Sequence, residues 1–109
     1  DLVLARAGAS TLGEFPLFGL PAILVPYPHA WRYQLVNAQF LAHRGAVEII
    51  EDARLSNQLL PVVSRLLSNP ESLEQMRKAM QALAQSDSAD KIARLLTSMA
   101  ARHRGETYA

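Results

Sequence analysis

Short apolar runs punctuate the first half of the chain, and helical periodicity governs the rest. Leu2-Val3-Leu4-Ala5 and Ala22-Ile23-Leu24-Val25 are continuous apolar runs, the pattern of strands buried on both faces. Ala46 to Ile50 reads as a third strand, with Glu48 marking partial exposure on one face. Between the first two runs, Arg6 to Ala9 forms a tight loop of small residues, and Ser10 or Thr11 caps a helix. Thr11-Leu12-Gly13-Glu14 fits the capping-box spacing, in which the two side chains satisfy each other's free N–H groups. Pro16 falls near the end of the first turn, where its missing N–H costs little. Gly19 serves as the C-cap, and Pro21 prevents the helix from resuming. Pro26-Tyr27-Pro28 stops the second strand and holds the backbone extended. A second helix follows from about Trp31 to His43, with Leu35, Ala38, Leu41 and Ala42 at helical spacing, and Gly45 ends it.

The remaining sequence predicts three helices. Ser56 caps a segment bearing Leu59, Val63, Leu66 and Leu67, in which Pro61 requires a late start or a kink. Asn69-Pro70 supplies an N-cap followed by a proline at the first helical position, with Leu73, Met76, Met80 and Leu83 behind it. Asp87 or Ser88 caps the last helix, whose Ile92, Leu95, Leu96 and Met99 share a face. Residues 103–109 read as a frayed tail, which leaves 1–102 as the folded unit. Strand, helix, strand, helix, strand, helices is the signature of an α/β fold with a parallel sheet. Ligands of such sheets bind beyond the carboxyl ends of the strands. The Arg6–Ser10 and Pro26–Trp31 loops both fall at that edge.

Composition narrows the function. Half of the 109 residues are hydrophobic and 19% are charged, as in ordinary globular domains. A net charge of +1, with basic residues scattered, argues against a nucleic-acid partner. There is no cysteine, so disulfides and thiolate metal sites are excluded. No signal peptide is visible, and the most apolar window, Phe15 to Tyr27, is too short and too broken by proline to span a bilayer. An apolar strand begins almost at once, and a buried parallel strand needs neighbours on both sides. The chain is therefore expected to be the C-terminal piece of a longer protein.

The candidate chemistry clusters between Arg6 and Asn37. Gly8, Ala9, Ser10 and Thr11 lead from a strand into a helix N-terminus, where unpaired N–H groups and the helix dipole favour a phosphate. An ordinary capped turn explains the same residues. Glu14 lies one turn further and can accept two hydrogen bonds from a vicinal diol such as a ribose, or can complete the capping box. The two roles compete for the same oxygens. Gln34 and Asn37 stand three apart on one helix face, and their amides both donate and accept, which suits sugar hydroxyls as well as solvent. Arg6 is a candidate for a phosphate or for a surface ion pair. His29, between Pro28 and Ala30, is a candidate for a substrate contact or a loop hydrogen bond. Trp31 and Tyr33 suit stacking on a sugar, or packing of their helix. No histidines and acids stand at metal-ligand spacing, and no nucleophile elbow is present.

The run RAGASTLGEFPLFGLPAILVPYPHAWRYQLVNA resembles the C-terminal domain of the MurG-type transferases, glycosyltransferase family 28. The ordered set R-x-G-A-x-T-x-x-E, G-L-P-A-x-L-V-P and Q-x-x-N-A carries the likeness, which extends over nearly the whole chain. It implies a two-domain enzyme with Rossmann-like halves. The C-terminal half holds UDP-N-acetylglucosamine, and the N-terminal half carries the base and meets a lipid-linked muramoyl-peptide acceptor at the cytoplasmic membrane face. Neither a cofactor nor a metal is implied. By position, the backbone of Ala9, Ser10 and Thr11 would hold the diphosphate, with Gly8 allowing close approach. Glu14 would take the ribose, and Gln34 with Asn37 the hydroxyls of the transferred sugar. Tyr33 stands where many members carry another glutamine, and Trp31 where a polar residue is common. Two rival readings are a UDP-sugar epimerase of the same fold and a separate donor subunit that works only beside a membrane partner.

Overall fold

The structure is a computed structural model, and it describes residues 1–105. Three parallel strands form one sheet in the order β1-β2-β3, with β1 at Val3–Ala5, β2 at Ala22–Leu24 and β3 at Val47–Ile49. Val3 pairs with Ala22, and Ala22 with Val47, so the strands run in step. Helix α1 (Thr11–Phe18) connects β1 to β2, and α2 (Tyr33–Ala42) connects β2 to β3. A 3-10 turn at Asp52–Arg54 leads into α3 (Leu55–Leu67), α4 (Pro70–Gln81) and α5 (Ser88–His103).

Alternation along the central strand builds two cores. Ala22 and Leu24 face one side, where they meet Ala38 and Leu41 of α2, Leu12 and Phe15 of α1, and Met80 of α4. Ile23 and Val25 face the other, against Leu66, Leu59 and Val63 of α3 and Met76 of α4. Every residue of β2 is buried, which explains why its sequence is continuously apolar. On the edge strand β3, Glu48 is half-buried and pairs with Arg65 of α3 at 2.5 Å.

Most boundaries follow the expected local chemistry. Gly19 adopts a left-handed φ of 58° and sends its N–H back to the Pro16 carbonyl, while Leu20 N–H reaches Phe15. Gly45, at φ 77°, turns the chain so that the Ala46 N–H bonds the Leu41 carbonyl. The Asn69 side chain accepts from the Ser72 N–H at 3.2 Å, with Pro70 opening α4.

Three expectations are corrected. The capping box does not form, because α1 begins one residue early with Ser10 as N-cap. The Thr11 hydroxyl instead donates to the Gly8 carbonyl at 2.7 Å. Helix α2 starts at Tyr33 rather than Trp31, which takes a left-handed φ of 56°. Helix α3 begins at Leu55, continuing the 3-10 turn, so Ser56 is not its cap and Pro61 lies inside the helix on an exposed face. Helix α5 runs to His103, and of the stretch expected to fray, residues 106–109 lie outside the described residues.

The apolar face of α5 does not join either core. Ile92, Leu95, Leu96 and Met99 are each more than half exposed. The radius of gyration is 18.0 Å, against about 13 Å for a compact chain of ~100 residues. No helix among the described residues is long and apolar enough to cross a membrane.

Candidate nucleotide-sugar site

The carboxyl ends of β1 and β2 release two loops on the same edge, and α2 ties them together. Gln34 Oε1 accepts from the Ala7 N–H at 3.2 Å and from the Tyr27 N–H at 2.8 Å. Asn37 Nδ2 donates to the Ala7 carbonyl at 3.0 Å. Both backbone polar groups of Ala7 are thus held by amides three residues apart, the spacing that puts them on one helix face. Ala7 is fully buried, so these bonds satisfy groups that would otherwise be costly. The acceptor role fixes the Gln34 amide orientation, and its NH₂ finds no partner among the described residues.

A cleft of about 810 Å³ opens beside this clamp, lined by Gly8, Ala9, His29, Trp31, Gln34 and Asn37 among others. The N–H groups of Gly8, Ala9 and Ser10 have no partner among the described residues. Those of Thr11, Leu12 and Gly13 turn back onto the Gly8, Ala9 and Ser10 carbonyls. Thr11 is buried, and its hydroxyl is also spent on Gly8. Of the four loop residues, three therefore present free donors, and Thr11 braces the loop from inside. A methyl group at Gly8 would meet no atom within 4 Å, so glycine there leaves open space rather than a close approach of the chain to itself.

Glu14 lies round the corner of the same helix end. Its carboxylate is exposed and unpartnered among the described residues, which removes the competition with a cap. It lines a second cleft of about 750 Å³ with Ser10, Gly13, Leu17, Phe40 and residues before α5. Ala9 borders both clefts, so Gly8, Ser10, Glu14, His29, Gln34 and Asn37 fall along one continuous surface, while Arg6 and the buried Thr11 line neither cleft.

Arg6 takes the ion-pair alternative. Its Nη1 donates to Asp52 at 2.6 Å and to the Val25 carbonyl at 3.2 Å, and its guanidinium lies 5.4 Å from the Tyr27 ring centre. It ties the end of β1 to β2 and to the 3-10 turn. His29 packs edge-on against Tyr27, with ring centres 5.4 Å apart, and borders the first cleft.

Trp31 and Tyr33 do not pack their helix: they are 85% and 72% exposed, both at the first cleft. Trp31 also borders a smaller cavity of about 380 Å³ with Pro26, Tyr27, Leu35 and Asp52. A left-handed tryptophan is strained by about 1–2 kcal/mol, and helical periodicity gave no warning of it. Ala7 and Tyr27 were also missed, because they act through backbone atoms that side-chain chemistry does not advertise.

Comparison with known proteins agrees with the geometry. The model of the glycosyltransferase family 28 C-terminal domain matches residues 1–94. A protein of Solidesulfovibrio magneticus is 46% identical over 108 residues, covering 97% of this chain and 29% of its own length. One of Roseiflexus sp. is 43% identical over 107 residues, covering 94% of this chain and 24% of its own length. Both are named UDP-N-acetylglucosamine–N-acetylmuramyl-(pentapeptide) pyrophosphoryl-undecaprenol N-acetylglucosamine transferase. The crystal structure of Acinetobacter baumannii MurG superposes with a TM-score of 0.81 at 31% identity, over 90% of this chain and 28% of that one. The chain spans about a quarter of the length of these relatives. A family match over residues 1–94 and a shared parallel-sheet fold settle the lineage: this chain belongs to glycosyltransferase family 28, by its C-terminal domain.

Proposed function

We propose that this domain is the donor-binding half of an inverting transferase that moves N-acetylglucosamine from UDP-N-acetylglucosamine to a lipid-linked muramoyl-peptide in peptidoglycan synthesis. The observation that carries the reading is the continuous surface from Glu14 past the loop N–H groups to the amides of α2. Its order matches the parts of a nucleotide sugar: a diol acceptor, anion donors, then hydroxyl partners. The N–H groups of Gly8, Ala9 and Ser10 bind the diphosphate at the N-terminus of α1. Glu14 accepts from the ribose hydroxyls, and the free NH₂ of Gln34 with Asn37 meets the sugar hydroxyls. His29 borders the same cleft as a further contact.

None of these groups is assigned the catalytic base, which belongs with the acceptor on another part of the protein. The acceptor is anchored in a bilayer, so the working location is the cytoplasmic membrane face, reached peripherally.

The test uses the full-length protein with UDP-N-acetylglucosamine, with and without the lipid-linked acceptor. Transfer that requires the acceptor and releases UDP is expected. Conversion of the nucleotide sugar to its epimer without acceptor would establish the epimerase instead, and activity only after addition of a second membrane subunit would establish the separate donor subunit.

A further inference from the structure

We infer that Gln34 and Asn37 are positioning residues for the diphosphate loop, beyond any contact they make with the sugar. The proposal rests on the donor-site reading above. Ala7 immediately precedes the three residues with free loop N–H groups, and α2 grips both its backbone N–H and its carbonyl. Gln34 Oε1 accepts from the N–H, and Asn37 Nδ2 donates to the carbonyl. Gln34 Oε1 also takes the Tyr27 N–H, so one oxygen sets the distance between the β1 and β2 loops. The other ties are the local bonds of Thr11, Leu12, Gly13 and Glu14 back onto Gly8, Ala9 and Ser10, and those of Arg6 to Val25 and Asp52; none of them joins the loop to α2.

Anion binding by backbone donors depends on holding those donors in one arrangement before the ligand arrives. Helix α2 is itself anchored by fully buried Ala38 and Leu41, beside the two amides. The clamp therefore transfers the rigidity of the core to the loop. It also gives each amide two tasks: the oxygen of Gln34 holds the loop, while its NH₂ remains for a ligand.

A pure sugar contact and a positioning role differ in what they do to a ligand that has no sugar. The full-length protein and its Gln34→Met and Asn37→Ser variants are titrated with UDP-N-acetylglucosamine, UDP and uridine, with thermal melting as a check on folding. Gln34→Met keeps the side-chain length and removes the acceptor. It is expected to weaken UDP roughly tenfold, the scale of one functional hydrogen bond to an ionic ligand. Uridine, which lacks the diphosphate, is expected to bind as before, and Asn37→Ser is expected to give a smaller loss of the same kind. In the free protein, the Ala7 and Tyr27 amides of Gln34→Met should exchange with solvent faster than in the wild type. UDP binding untouched by both substitutions, with only UDP-N-acetylglucosamine weakened, would overturn the inference and leave the donor reading standing. An equal loss for uridine would overturn it as well, by showing a general collapse. Failure of the wild-type protein to bind UDP would remove the donor reading and this inference together.

Discussion

Glu14→Ala separates the two roles that the sequence left in competition. In the structure the carboxylate is exposed and has no partner among the described residues, and the capping box is absent. Removing it from the free protein therefore costs only its interaction with the α1 dipole, about 0.3–1 kcal/mol. In the complex it is expected to accept two hydrogen bonds from the ribose. At the low end for a charged acceptor, about 1.5 kcal/mol each, the pair contributes about 3 kcal/mol, or roughly a hundredfold in Kd. Calorimetric titration of the full-length protein with UDP and with 2′-deoxy-UDP closes a double-mutant cycle. The wild type should lose about tenfold on removal of the 2′-hydroxyl, and Glu14→Ala should no longer distinguish the two ligands. If the variant still discriminates as strongly as the wild type, some other group reads the ribose. A melting temperature that drops by far more than about 8 °C would show instead that Glu14 holds the fold.

Three further outcomes test the fold that carries the site. Gly19→Ala must place a side chain at φ 58° and displace Gln81, whose Cγ would lie 2.9 Å away; a loss of about 1–2 kcal/mol in urea unfolding is expected, with an unchanged m-value. Asn69→Ala removes the bond from the Ser72 N–H and should cost about 1 kcal/mol, most of it restored by Asn69→Ser. The Arg77 guanidinium, hydrogen-bonded to Glu74, holds that carboxyl below the usual range. Stability from a depressed carboxyl is present above its unfolded-state pKa and fades as pH falls through the folded one. An NMR titration should therefore find Glu74 titrating below the usual glutamate range, and Arg77→Gln should move it upward.

What was legible in the sequence was whatever a single local rule decides. Continuous apolar runs marked β1 and β2, a run broken by Glu48 marked β3, and glycines with positive φ closed α1 and α2 where expected. The unformed capping box of α1 and the misplaced start of α3 have one physical origin, since several residues near each start can serve as cap. At α1 both Ser10 and Thr11 qualify, and the free-energy gap between adjacent starts is a fraction of a hydrogen bond. Thr11 found a better use for its hydroxyl on Gly8. At α3 the 3-10 turn merges into the helix, leaving no boundary for Ser56 to mark. The exposed face of α5 shows the opposite limit. Periodicity identifies which residues share a face, yet cannot say what covers them.

The site shows a different kind of illegibility. Spacing put Gln34 and Asn37 on one face, and composition said that amides suit sugar hydroxyls, but neither revealed that the backbone of Ala7 and Tyr27 claims the Gln34 oxygen twice and one N–H of Asn37. A residue that both braces a loop and meets a ligand cannot be judged from activity alone, because its loss removes the contact and loosens the donors beside it. Trp31 follows the same logic from the other direction. A helical pattern would have absorbed it into α2, yet the loop holds it in a left-handed conformation with its ring 85% exposed at the cleft. Local preference opposes that arrangement by about 1–2 kcal/mol, so the surrounding structure has to hold it there. The bond from the Tyr33 N–H to the Ala30 carbonyl at 3.3 Å spans it, and the bond from the Ala30 N–H to the Tyr27 carbonyl together with the Gln34 clamp on the Tyr27 N–H holds the turn before it. The strain at Trp31 and the clamp at Gln34 are therefore two consequences of the same short loop between β2 and α2.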